Sequence, residues 1–126
     1  MWNNAHDAYL DGRVLSAAPI ELVNLLYQAC NRNVRDARRA LAVGDIRGRS
    51  AAISRAAAIV TELTTSLNHI DGGDLSRQLA RLYDFMQRQL VDANVQQSDP
   101  PLVAVLGLLT TLGEAWETLG ASSKPV

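Results

Sequence analysis

Apolar residues recur three and four positions apart in four successive segments, with no competing two-residue alternation of useful length, and that spacing predicts four amphipathic helices. The first opens near Pro19, carries Val23, Leu26, Cys30, Val34, Ala37 and Leu41, and stops at Gly44. Asp45 is placed to cap the second, whose line is Ile46, Ile53, Ala56, Val60, Leu63, Leu67 and Ile70. DGGD at 71–74 breaks it, and Asp74 is placed to cap the third. That helix presents Leu75, Leu79, Leu82, Tyr83, Met86, Leu90 and Ala93 and runs to about Asn94. QQSDPP at 96–101 is the next turn, its paired prolines starting a fourth helix with Leu102, Leu106, Leu109, Leu112, Trp116 and Leu119. Short connections between helices of this length favour an all-α fold, an antiparallel four-helix bundle over residues 19–120. Residues 1–18 hold Trp2, Tyr9, Leu10, Val14 and Leu15 without a sustained helical line and are expected to form an N-terminal arm. Residues 121–126 are expected to be a flexible polar tail.

Two features do not fit one buried stripe per helix. Phe85, the single Phe of the chain, falls among Gln78, Arg81, Gln89 and Asp92, about a quarter turn or more from the middle of its helix's stripe. It belongs either at a helix–helix boundary inside the bundle or against the arm or a partner. On the fourth helix Val105 and Leu108 widen the apolar arc to about 160°, with Val103 outside it, whereas covering one core takes somewhat more than 100°. Ile59 and Ala52 widen the second helix in the same way. Either each of these helices faces two neighbours, or grooves remain for the amphipathic helices of a partner, with the arm able to lie in one when no partner is bound.

Composition narrows the function classes. With 126 residues and 48% apolar content, the chain is one domain with a real core. Its net charge of −1 gives no general pull toward nucleic acid or an anionic membrane. The first residues, MWNNAHDAYLDGR, are not expected to act as a secretory signal, and no apolar run reaches the roughly 20 residues that cross a bilayer. One cysteine cannot form an internal disulfide, so a soluble cytoplasmic protein is expected. His6 and His69 belong to no metal-ligand pattern, and no group of residues converges for catalysis, so neither a cofactor nor an enzymatic role is expected. Cys30, on an apolar stripe, is expected to act as a small buried hydrophobe. Seven arginines between residues 32 and 55 (Arg32, Arg35, Arg38, Arg39, Arg47, Arg49 and Arg55) lack interleaved aromatics for base stacking. They predict a solvated face, or a surface for an acidic protein, before a nucleic-acid site.

LYDFM at 82–86, the DGG before it, the DAN that closes the third helix and VLGLLTTLGEAW at 105–116 resemble the flagellin export chaperones, the FliS family. AYLDGRVLSAAPIELVNLLY is similar to that family's N-terminal pattern, a Tyr in the arm followed ten residues later by the Pro of the first long helix. The similarity runs in order from about residue 8 to 119. It implies a four-helix antiparallel chaperone that binds the disordered C-terminal segment of flagellin in the bacterial cytoplasm, blocks premature assembly and helps delivery to export-gate components. The family's client-binding arm tyrosine corresponds to Tyr9, with Val14 at a neighbouring apolar position. Departures are Gln28 in place of an acid, Phe85 in place of a Tyr, and RQL at 88–90 in place of RRL. The expected partner surface comprises Tyr9, Leu10 and Val14 of the arm, Ile59 and Leu63 of the second helix, Phe85 of the third, and Leu102, Val105 and Leu108 of the fourth. The free protein is expected as a monomer or an arm-exchanged dimer. The alternative is a helical adaptor or regulatory module that binds another protein through its Arg-rich surface.

Overall fold

The computed structural model describes the backbone of residues 19–67 and 73–123, and side chains within 20–67 and 73–118. The predicted arm, with Tyr9, Leu10 and Val14, lies outside the described residues, as do His6, His69, Ile70 and residues 124–126. Four helices follow in order: α1 Pro19–Ala42, α2 Ile46–Thr65, α3 Gly73–Gln96 and α4 Pro100–Ser123.

The turns are built from local chemistry. Gly44 takes φ 74°, the left-handed angle that glycine adopts without steric cost. The N–H of Asp45 then reaches the Ala40 carbonyl and that of Gly44 the Leu41 carbonyl, a Schellman closure of α1. Asp45 caps α2 as predicted, its carboxylate accepting the Gly48 N–H at 2.9 Å. A Cβ on Gly48 would meet that carboxylate too closely, so a larger residue there would make the Asp45 side chain shift. Gln97, at φ 51°, ends α3 with a second Schellman bond, Ser98 N–H to the Ala93 carbonyl at 3.1 Å. Pro100 and Pro101 open α4, and the Asp99 carbonyl accepts its first helical bond from Val103.

Three boundaries differ from the sequence reading. The second helix ends at Thr65 instead of running to Ile70: the hydroxyls of Thr61, Thr64 and Thr65 turn back onto carbonyls four residues earlier, and Ser66 onto that of Leu63. Hydroxyl groups competing for the backbone weaken the last turn. Asp74 lies inside the first turn of α3, where it pairs with Arg77, because Gly73 at φ 52° already belongs to the helix. α4 continues through Ser123, into the segment expected as tail, since AlaSerSer contains nothing that forbids a helix.

α1 packs on α2 and α4, and α3 packs on α2 and α4, in a square. Adjacent helices are antiparallel. Cross-links step backward along one helix as they step forward along the other: Cys30 to Ala56 and Asn33 to Arg55 between α1 and α2, Arg49 to Asn94 and Ala57 to Gln87 between α2 and α3. The core includes Cys30, Val34 and Ala37 of α1, Ala56, Val60 and Leu63 of α2, Met86, Leu90 and Ala93 of α3, and Leu102, Val105 and Leu109 of α4. Burying each large side chain among them contributes about 1.5–3 kcal/mol. Among the described residues no helix is long and apolar enough to cross a membrane.

Candidate functional site

The wide apolar arcs of α2 and α4 are mostly consumed by the bundle. Ile59, Leu63, Leu102 and Val105, expected on a partner surface, are buried at 7%, 1%, 0% and 0% exposure. Each of these helices serves two neighbours, and the extra arc meets the second one. As the bundle stands, these four side chains form a buried floor beneath the surface.

Apart from scattered exposed side chains such as Val43, Ile46, Leu75, Val91 and Val95, two partly open surfaces flank α4. Gln87 fixes the rotation of α3, since its side-chain amide donates to the Ala57 carbonyl at 2.9 Å and to the Thr61 hydroxyl at 3.1 Å. That flank faces α2. At 100° per residue, Leu82 and Phe85 then lie on the opposite flank, toward α4. Gly113 lies beside the Tyr27 ring and Trp116 packs edge-on against it, so that side of α4 faces α1. Leu108 and Leu112 therefore turn to α3. Phe85 is 38% exposed, so it is not enclosed at a helix boundary within the bundle; its off-stripe position places it at the outer rim of the α3–α4 seam. Leu82, Leu108 and Leu112 are only half-covered against the core below it. Val103, also off the stripe, is 46% exposed.

The other seam, between α1 and α4, holds a groove of about 350 Å³. The buried Tyr27 and Leu109 line its floor with Gly113, and Asn24, Gln28 and Asn31 lie along the α1 wall. Arg32 and Arg35 stand toward one end and Glu114 and Glu117 toward the other. Asn24 Oδ1 is buried with no hydrogen-bond partner among the described residues. A buried acceptor left unpaired costs about 1–3 kcal/mol, so it is a point where the groove gains by receiving a donor.

Beneath these seams is a polar pair that crosses the bundle diagonally. Tyr27 of α1 and Tyr83 of α3 join hydroxyl to hydroxyl at 2.7 Å, both buried. Burial pushes both phenols above their ordinary range. Tyr27, Asn24 and Gly113 were missed as site residues in the sequence reading. Tyr27 had a usable signal, lying seven residues before Val34 on the same stripe; Asn24 and Gly113 had none, since only the opposing helix gives them a role.

The chemical candidates resolve plainly. Cys30 is fully buried, its thiol pushed up to about 12 by desolvation and pointing at the Ala56 carbonyl at 3.7 Å, so it is packing and not a nucleophile. Among the described residues no group of His, Cys, Asp and Glu is placed to hold a metal ion. The Arg-rich surface is smaller than its sequence suggests. Arg49 is buried, donating to the Asn94 side chain at 3.1 Å and backbone at 3.4 Å. Arg38 makes a two-pronged pair with Asp99 at 2.8 and 2.9 Å, which holds that carboxyl below its usual range. Arg39 pairs with Asp36 and Arg55 donates to Asn33 at 3.0 Å. Arg32, Arg35, Arg47 and Arg55 are exposed and have no ion pair among the described residues.

The family profile described as "Flagellar protein FliS" matches residues 2–123. Among curated proteins, the chain is similar to the flagellar secretion chaperone FliS of Salmonella typhimurium, 32% identical over 87% of this chain and 82% of that one. It is similar to FliS of Bacillus subtilis, 32% identical over 90% of this chain and 84% of the relative. FliS of Campylobacter jejuni is 30% identical over 92% of this chain and 91% of its own.

Proposed function

Because the chain belongs to the FliS family of flagellar proteins, we propose that it is a cytoplasmic export chaperone that holds the disordered C-terminal segment of flagellin until export-gate components receive it. The match over nearly the whole chain to proteins named flagellar secretion chaperones carries this reading. It is a family of chaperones, not of enzymes. The half-covered seam of Leu82, Phe85, Leu108 and Leu112 supports it, because a disordered client must bury apolar surface to offset its ordering entropy. Tyr9, Leu10 and Val14 of the arm act with Phe85 and Leu108 at the surface. Ile59, Leu63, Leu102 and Val105 support the seams from beneath.

Calorimetric titration with the C-terminal flagellin segment of the same organism tests this. One-to-one binding with a negative heat-capacity change is expected, weakened by Tyr9→Ala and by Phe85→Asp with the helical signal unchanged. No binding by a folded sample overturns it.

A further inference from the structure

The groove between α1 and α4 differs from the α3–α4 seam in chemistry. Its walls are amides and charges over a floor of Tyr27, Leu109 and Gly113. Asn24, Gln28 and Asn31 sit at intervals of four and three on α1, one above another along its wall. Their side-chain amides are both donors and acceptors, the complement of a peptide main chain. An approaching helix has already paired its own main-chain groups, so only an extended segment gains from such a row. The buried, unpartnered Asn24 Oδ1 marks where that segment's N–H is most needed. Gly113 has no side chain, so the backbone of an occupant can come close to α4 there.

The ends of the groove carry opposite charge. Among the described residues Arg32 and Arg35 form no ion pair, and neither do Glu114 and Glu117, so none of these four charges is neutralised by another of them. Because Gly113 is level with Tyr27 and the helices are antiparallel, Glu114 and Glu117 lie toward the Asn24 end. At 1.5 Å per helical residue the two charged ends are separated by roughly 13–16 Å. An extended chain covers that in about four to five residues.

The geometry points to a second docking site here for an extended stretch of the client, one that carries a basic side chain and an acidic side chain about five positions apart. This rests on the client reading above and adds a charge rule to it. The base lies over Glu114 and Glu117, the acid over Arg32 and Arg35, and the main chain runs along the three amides.

The test uses the isotope-labelled full chain and magnetic resonance. It is titrated first with the C-terminal flagellin segment, then with three ten-residue synthetic peptides that place Lys and Asp, two Lys, or two Asp five positions apart. Flagellin is expected to move the Gly113 resonance and the side-chain amides of Asn24, Gln28 and Asn31. The Lys/Asp peptide is expected to bind roughly three- to tenfold more tightly than either like-charged peptide, the range two exposed ion pairs supply. Arg32→Glu with Arg35→Glu makes both ends acidic and should transfer the preference to the two-Lys peptide. Both side chains are exposed and unpaired, so the fold survives the change, and the helical signal verifies it. Flagellin shifts elsewhere with a silent groove, or a peptide preference that ignores the charge reversal, overturn this site and leave the client reading standing. No shifts anywhere with flagellin overturn both.

Discussion

α2 and α4 occupy equivalent corners of the same square, yet they are held in different ways. α2 is laced to both neighbours by side-chain hydrogen bonds. Arg55 donates to Asn33 and Cys30 to the Ala56 carbonyl on one side; Arg49 and Ser50 meet Asn94, and Gln87 meets Ala57 and Thr61, on the other. α4 carries only two charges, Glu114 and Glu117, among its 24 residues. It is held by apolar contact, by the Tyr27–Trp116 ring contact and by the Arg38–Asp99 pair at its start. Hydrogen bonds demand one register and one distance, whereas apolar packing accepts a replacement surface of similar shape. The laced corner keeps the bundle, and the smooth corner offers seams to a partner.

Leu90→Ala should have the largest effect, since it opens a cavity under both corners at once. The expected loss is about 2–5 kcal/mol in chemical denaturation. A smaller loss than Phe85→Asp would destroy the distinction between floor and rim.

Asn94→Ala breaks the lacing alone. It removes the acceptor shared by Arg49 and Ser50 and leaves a buried guanidinium short of partners, for an expected loss of about 1–3 kcal/mol. Client affinity measured by calorimetry on the surviving fold should be little changed. A large loss of affinity would show that α2 and α4 do not divide these tasks.

Tyr83→Phe cuts the diagonal bond and leaves the buried Tyr27 hydroxyl without its partner, at an expected cost of about 1–2 kcal/mol near neutral pH. The same groups set an alkaline limit. Burial raises Tyr27, Tyr83 and Cys30, so the folded protein keeps protons that the unfolded chain releases. Their contribution is complete below the ordinary values of 9.0 for the thiol and 10.0 for the phenols, and is lost as pH rises beyond them. Denaturation midpoints should fall from about pH 9 upward in the native chain and less steeply in Tyr83→Phe. A midpoint that stays level to pH 11 would contradict the burial of these groups.

Phe85→Asp should change stability least, by about 0.5 kcal/mol or less, as expected for a partly exposed position. Its effect belongs to binding, where loss of the client with the fold intact is expected. Unchanged client affinity would move the contact surface away from the α3–α4 seam.

The helices and their order follow from local information. A 3.6-residue apolar period, Gly44 and the paired prolines act within a few residues of themselves, so α1 and the start of α4 read correctly from the chain. The end of α2 did not, because three threonines and a serine weigh against an apolar line that continues to Ile70. The resemblance of LYDFM and its companion stretches also lies in the linear order, and the family match covers the same stretches. Which apolar residues are surface was another matter. Ile59, Leu63, Leu102 and Val105 have the same residue types and spacings whether a neighbouring helix or a partner covers them. Burial is decided by the second neighbour, which periodicity does not name.

Arg49 and Arg32 make the same point with charge. Both are arginines in one basic stretch, but Asn94 comes within reach of Arg49 only when α3 closes against α2, while Arg32 is left at the mouth of the α1–α4 groove. Tyr27 and Tyr83 are 56 positions apart and meet only across the finished core. The sequence by itself determined the four helical segments, the Gly44 stop, the Asp45 cap and the family to which the chain belongs, because each depends on residues near one another or on their order. The tertiary structure alone decided which side chains became floor, lacing or open seam, because burial and pairing depend on distances that exist only after the four helices have packed.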